Sequence, residues 1–312
     1  MGATGMYLPE TYQAALVLML LSMLCWGSWA NTLKLCEGYR FQLFYWDYAL
    51  GVLVGAVVLG LTMGSHGSHG NLFLVDVAVS PPGAMLLAAC GGAVFNVANL
   101  LLVAAIDVAG LAVAFPVGIG LALVVLAIVL DAAAYRRRES GARATTTRGI
   151  VLSLVAGLLM GSFYPLVARA MTGTDFQPAP GPYAIALFFA IGVVISTIPA
   201  NLILMAKPLD GKPPVAMKGY WDALLRWHVA GLIGGVIWCA GAVANFLGSG
   251  AHKVGPAVSY SIGQGATMVS ACWGVFVWHE FAGAPPAAKR LLVLMFLFFL
   301  LGLCAIALAP LY

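Results

Sequence analysis

Charge is what this chain has least of. Asp, Glu, Lys and Arg make up 8% of its 312 residues and hydrophobic residues 62%, too few polar groups to coat a water-soluble domain of that length. No Lys or Arg precedes Lys34. That excludes the basic n-region of a cleavable secretory signal and predicts that the first apolar run stays in place as a helix. Cysteine is scarce and poorly spaced for chemistry: Cys25, Cys90, Cys239, Cys272 and Cys304 lie inside apolar runs and Cys36 at a helix end. A disulfide framework and metal-ligand spacing are both missing. There is no ATP-binding loop. The histidines are isolated, with His66 and His69 in a Gly/Ser-rich loop away from Cys or acidic neighbours. No catalytic residue, metal, cofactor or nucleic-acid partner is therefore expected, and an enzyme is the weaker reading.

What the chain has in abundance is apolar sequence. Runs long enough to cross a hydrocarbon core, about 20 residues, begin near Tyr12, Phe41, Gly83, Ala109, Ile150, Tyr183, His228, Gly255 and Leu291. The fold class is an all-α polytopic membrane protein with about nine to ten transmembrane helices. The polar stretches Tyr135 to Arg148 and Lys207 to Arg226 read as connectors. Three connectors hold most of the basic residues: Arg136, Arg137, Arg138, Arg143 and Arg148 in one, Lys207, Lys212, Lys218 and Arg226 in the next, Lys289 and Arg290 in the last. They alternate along the last five spans, so they share a face, which the positive-inside rule makes cytoplasmic. Four spans before the arginine cluster would put Lys34 and Arg40 outside, whereas five would put them inside. Either the first half has lost about one helix from a five-plus-five plan, or a segment around Asn71 to Val79 is re-entrant or poorly inserted.

An internal echo favours two related halves. Gly110-Leu-Ala-Val-Ala-Phe-Pro-Val-Gly-Ile-Gly120 returns as Gly255-Pro-Ala-Val-Ser-Tyr-Ser-Ile-Gly-Gln-Gly265, and Gly27-Ser28-Trp29 returns more weakly as Gly161-Ser162-Phe163. Repeats with an odd number of spans insert upside down relative to each other, the plan of inverted-repeat transporters with a site between the halves. The division is residues 1–135 as a shortened first repeat, 136–149 as a basic cytoplasmic connector and 150–312 as a second, five-helix repeat.

The blocks Cys25-Trp-Gly-Ser-Trp-Ala-Asn-Thr-Leu-Lys-Leu35, Arg40-Phe-Gln-Leu-Phe-Tyr-Trp-Asp-Tyr-Ala-Leu-Gly51, Phe95-Asn-Val-Ala-Asn99 and Phe115-Pro-Val-Gly-Ile-Gly120 resemble the ureide permease family. That family is close to the glucose/ribose porters within the drug/metabolite transporter superfamily. The resemblance implies ten helices in two inverted halves and the movement of small neutral solutes such as ureides, nucleobases or sugars. Glu280, in Trp278-His-Glu-Phe281, resembles the glutamate that closes the penultimate helix in many drug/metabolite transporters.

A neutral polar solute needs hydrogen bonds to replace its water and flat apolar faces against which a ring can lie. Trp26, Trp29 and Asn31 offer both on the first helix, with interfacial anchoring as the alternative for the tryptophans. Asn96 and Asn99 share a helix face, and Asn245 occupies a comparable place in the second half; interhelical bonding is the competing role. Tyr260 and Gln264 add polarity to one copy of the echo only, as an asymmetric site would. The substrate-binding candidates are thus Trp29, Asn31, Asn96, Asn99, Asn245, Tyr260 and Gln264. Asp47 is acidic inside a span, which is costly unless paired, wet or functional. It is either a partner of Lys34 or Arg40, or a coupling residue for H+ or Na+. The echoed glycines Gly118, Gly120, Gly263 and Gly265, with Pro116, mark either close packing or a locally unwound helix.

The function expected is a permease of the cell (inner) membrane that moves a small neutral polar solute by alternating access, in contact with lipid and open to oligomerisation. A non-transporting scaffold or receptor is the alternative.

Overall fold

The computed structural model describes residues 5–109, 147–172, 179–250 and 254–308. Among them every named element is a helix: α1 Tyr12–Ser28, α2 Asn31–Lys34, α3 Phe41–Leu61, α4 Phe73–Val79, α5 Pro82–Ala109, α6 Thr147–Ala170, α7 Pro182–Ala206, α8 Lys218–Trp221, α9 Leu225–Ser249, α10 Gly255–Gly263, α11 Ala266–Cys272 and α12 Pro286–Leu308. Isolated bridges tie Gly5 to Gly67 and Met6 to His69. Among the described residues, five segments are long and apolar enough to cross a membrane: Tyr12–Lys34, Phe41–Ser65, Pro82–Ala104, Pro182–Ala206 and Leu225–Ser249. Helix is the form the solvent demands, because in hydrocarbon every backbone N–H and C=O must be paired within the segment. Leu20, Leu24, Val54, Val58, Leu154, Leu158, Ile195, Leu202, Val293 and Leu297 point outward, the apolar coat of a multi-pass membrane protein.

Side-chain pairs between connectors fix the helix directions. Lys34, the last residue of α2, is ion-paired with Glu280, and Arg40, before α3, lies 3.4 Å from Asp210, which also holds Lys212 at 3.0 Å. The 35–40 connector therefore sits at the same end of the bundle as the Lys207–Arg226 stretch and the loop before Lys289. At the opposite end the Tyr183 hydroxyl donates to the Tyr7 carbonyl and the Gly181 N–H to Asp76. This settles the competing placements of Lys34 and Arg40: they join the basic face. Consequently α1 and α5 run toward the basic end and α3 away from it, while α6 and α9 run away from it and α7 toward it. Gly91 of α5 lies beside Val167, near the end of α6, so α5 ends and α6 begins at the basic end. The Asn71 to Val79 region forms the 7-residue α4, about 10 Å long at 1.5 Å per residue, which cannot span. The division at residue 135 and most of the 136–149 connector lie outside the described residues.

Two helix pairs are joined in the same manner. In α3:α9, a methyl group at Gly51 would strike the carbonyl oxygen of Leu232, and one at Gly235 the carbonyl oxygen of Tyr48. In α5:α7, Gly192 meets the carbonyl oxygen of Ala89, and Gly92 that of Phe189. Close approach through small residues is how helices gain contact in a bilayer, where apolar burial alone drives nothing. The remaining packing sets α1 on α9, α10 and α11, and α3 on α7.

Candidate solute-binding site

The GlyGlyxx-aromatic segments Gly91-Gly92-Ala93-Val94-Phe95 and Gly234-Gly235-Val236-Ile237-Trp238 each set an aromatic ring one turn after the glycine contact. Those two rings meet: Phe95 stacks on Trp238 with centroids 4.1 Å apart and an interplanar angle of 30°. Trp26 of α1 also stacks on Trp238, at 5.9 Å and 18°. Phe163 of α6 meets Tyr260 of α10 edge-on at 5.8 Å. Between these rings lies a cavity of about 30 Å³ lined by Trp26, Trp29, Phe95, Asn99, Leu102, Met160, Phe163, Trp238, Tyr260, Gln264 and Ala266. Helices of every direction thus contribute to one space. That is only about two to three times the minimum that holds a single water, so a ring-sized solute enters only if the walls move apart.

Of the residues singled out from sequence, Trp29, Asn99, Tyr260 and Gln264 line this cavity together. The Asn99 amide donates to the hydroxyls of Tyr45 at 3.0 Å and Tyr48 at 3.3 Å, and Trp29 leans on Tyr48 with ring centres 4.6 Å apart. Tyr260 donates to the Met160 carbonyl at 2.9 Å, and the Gln264 side chain hydrogen-bonds the same hydroxyl. The indole N–H of Trp26 is buried without a partner among the described residues, a donor free for a polar solute. None of the described lining residues is charged.

Asn31, Asn96 and Asn245 lie elsewhere and spend their amides between helices. Asn31 donates to the Ser28 carbonyl and accepts from the Trp278 indole at 2.6 Å. Asn96 accepts from Tyr45 and Thr197 and donates to Ser196, joining α3, α5 and α7. Asn245 accepts from Tyr164 at 2.8 Å and donates to the Ser259 carbonyl. Phe95, Trp238, Met160, Leu102 and Ala266 were not singled out beforehand. The repeated GlyGlyxx-aromatic spacing would have found Phe95 and Trp238; the other three carry no sequence mark.

The second echo is a broken helix. α10 stops at Gly263 and α11 starts at Ala266, so Gln264 sits in the break, with its carbonyl taken by Thr267 Oγ1 at 3.1 Å. The flanking glycines are packed as well: Gly263 against Trp26 and the Asn245 amide, Gly265 against Met23 and Leu303. Close packing is thus observed, while Gln264 and Gly265 keep right-handed helical dihedrals with their N–H groups bonded to the Tyr260 and Ile262 carbonyls. Gly118, Gly120 and Pro116 of the first echo lie outside the described residues.

Asp47 has different partners from those expected. Lys34 is taken by Glu280 and Arg40 by Asp210, and Asp47, 4% exposed, accepts from Tyr220 Oη at 2.7 Å and His228 Nδ1 at 2.8 Å. The reason is helix direction. α9 begins at the basic end, bringing His228 level with the second turn of α3, and Gly231 lets the two backbones close over the Asp47 Cβ.

Two ureide permeases align along nearly the whole chain. Ureide permease 1 of Arabidopsis thaliana is 22% identical over 391 aligned positions, covering 96% of this chain and 98% of that protein. Ureide permease 2 of the same plant is 22% identical over 394, covering 95% and 96%. No family model matches. The alignments are longer than the 312-residue chain, so both relatives carry extra sequence within the shared extent. Similarity along nearly the full length, together with the apolar spans, fits a multi-pass membrane protein.

Proposed function

We propose that this chain is a secondary transporter that carries a small neutral polar solute, such as a ureide, nucleobase or sugar, by alternating access. The observation that carries the reading is the uncharged cavity, in which Trp26, Trp29 and Trp238 supply flat faces and Asn99, Tyr260 and Gln264 supply hydrogen-bonding edges. A ring with amide or hydroxyl groups matches such walls, whereas an ion would find no countercharge among them. The two plant relatives, both ureide permeases, point the same way.

Two inverted repeats are supported by the helix pairs. α3 and α7 run oppositely, α5 and α9 run oppositely, and the glycine contacts of α3:α9 have their counterpart in α7:α5, with Tyr48 answering to Phe189 and Leu232 to Ala89. A plan of nine to ten helices accommodates this, as in the drug/metabolite transporter superfamily. Halves so built can rock about the Phe95–Trp238 stack, where they meet. The basic end is then cytoplasmic by the positive-inside rule. In this account Asn31, Asn96 and Asn245 position the helices that bear the site, and H+ or Na+ is the coupling ion, with Asp47 as its candidate residue.

Counterflow in proteoliposomes tests the proposal without knowledge of the driving ion. Vesicles preloaded with unlabelled allantoin, uracil, glucose or ribose should take up the matching labelled compound for at least one of them, and Gln264→Ala should abolish it while the protein remains folded. No exchange of any of the four by folded, inserted protein would refute the reading for these solute classes.

A further inference from the structure

Away from the cavity, the basic end holds a compact, partly buried cluster that solute binding does not use. Its centre is Asp47 of α3, with both carboxylate oxygens taken, Oδ1 by the Tyr220 hydroxyl and Oδ2 by His228 Nδ1. Tyr39, from the 35–40 connector, stacks on Trp227 at 4.9 Å and meets the His228 ring edge-on at 6.5 Å, while Tyr220 meets that ring at 4.6 Å. Cys36 is 3% exposed nearby, within electrostatic reach of Asp47 and Arg226. The groups facing the pair are therefore Cys36 and Tyr39 from the connector, Tyr220 from α8, and Arg226 from α9 itself. Burial, reinforced by the Asp47 charge, pushes the Tyr39 and Tyr220 hydroxyls up from the ordinary phenol range. Both stay protonated near neutral pH and act only as neutral partners. The His228 imidazole, with Nδ1 on Asp47, is the remaining group of the cluster whose ring can carry a second proton.

From this geometry we infer that the Asp47–His228 pair is a proton-binding site that latches the basic end of the α3:α9 seam. The bound proton sits on His228 Nε2, since Nδ1–H is directed at Asp47. With it, the pair is neutral overall and ties α9, α8 and the 35–40 connector to α3. When that proton passes to water on the basic side, no other bond breaks, but the seam is left with an uncompensated carboxylate. A buried unpaired charge is strongly unfavourable, and opening the seam to water relieves it. Ten residues of α9 separate His228 from the cavity residue Trp238, about 15 Å along the helix at 1.5 Å per residue. The proton and the solute are thus bound at different depths of one seam, and access to one alters access to the other. The proton site stands on the cluster alone; its use in coupling rests on the transport reading above.

Cys36 reports the latch without any solute. Full-length protein in liposomes is treated with N-ethylmaleimide between about pH 5 and pH 8, and Cys36 modification is read by peptide mass spectrometry. Rates are normalised to the same thiol in denaturant at each pH, which removes the thiolate's own titration. The parent should show protection at low pH and a normalised rate that rises by up to about tenfold per pH unit, the limit for one linked proton. Asp47→Asn and His228→Gln should flatten the profile. Tyr220→Phe is the gentler variant: without that donor the carboxylate holds the imidazolium harder, and the midpoint should move to higher pH. A flat parent profile, or variants that keep the parent's slope, would overturn the proton site. In parallel, accumulation driven by a pH gradient, expressed relative to the same variant's counterflow rate, should be lost in Asp47→Asn. Gradient-driven accumulation at the parent's level in that variant would overturn the coupling. Absence of counterflow in the parent would instead strike the transport reading, and the Cys36 profile would still decide the proton site.

Discussion

Replacing Gly92 with alanine probes the helix contact on which the site is built. The added methyl group would run into the carbonyl oxygen of Phe189, with the carbonyl carbon and Cα of that residue immediately behind. These are backbone atoms of α7, so no side chain can swing aside and the helices must separate. Overpacking of this kind costs about 1–3 kcal/mol. Separation also stretches the bonds from Asn96 to Ser196 and from Thr197 to Asn96, at 3.0 and 3.2 Å, each worth about 0.6 kcal/mol on average between membrane helices. The sum of about 2–4 kcal/mol corresponds to a shift of the unfolding equilibrium by roughly 30- to 1,000-fold. Gly161→Ala is the control, because a methyl group there meets nothing within 4 Å and the change should be neutral or stabilising by up to about 1 kcal/mol. Gly235→Ala should resemble Gly92→Ala, since it meets the Tyr48 carbonyl oxygen in the same way. Unfolding midpoints of the purified protein in one detergent, followed by intrinsic tryptophan fluorescence, make the comparison. Equal midpoints for Gly92→Ala and Gly161→Ala would refute the backbone-contact argument, and a harmless Gly235→Ala would refute the likeness of the two helix pairs.

Other consequences follow from single contacts. Tyr45→Phe removes the hydroxyl shared by Asn96 and Asn99, and should lower stability by about 1–2 kcal/mol while weakening solute exchange through the released Asn99 amide; unchanged melting would contradict this. Trp278→Phe removes the indole donor to Asn31 and Glu280→Gln the charge that holds Lys34, so each should raise water access at the basic end, read as faster maleimide labelling of Cys36. Burial raises the Asp76 carboxyl above its ordinary value of 3.8, opposed by the Gly181 N–H. The folded chain therefore holds that proton more tightly than the unfolded chain. The contribution to stability is full below pH 3.8 and is lost as pH rises through the raised native value. Asp76→Asn should flatten that part of the pH dependence of melting, and an unchanged slope would exclude Asp76 as its source.

By itself the sequence determined the solvent and the backbone form. Apolar runs with so little charge must sit in lipid, and lipid permits only internally bonded helices there. It also marked Trp29, Asn99, Tyr260 and Gln264, because polar and aromatic residues inside apolar spans are costly and rarely idle. Only the tertiary structure decided which of those meet. Asn96 is three residues from Asn99 yet turns toward Ser196 and Thr197 instead of the cavity, and nothing within α5 dictates which way an amide on a shared face will turn. The partner of Asp47 was hidden for the same reason. Lys34 and Arg40 are near in sequence, but helix direction carries them to Glu280 and Asp210 and delivers His228, 181 residues away, to Asp47. Spacing along one helix reveals a face, whereas the choice of neighbour depends on where the chain re-enters the bundle, which connectors of this length leave undetermined.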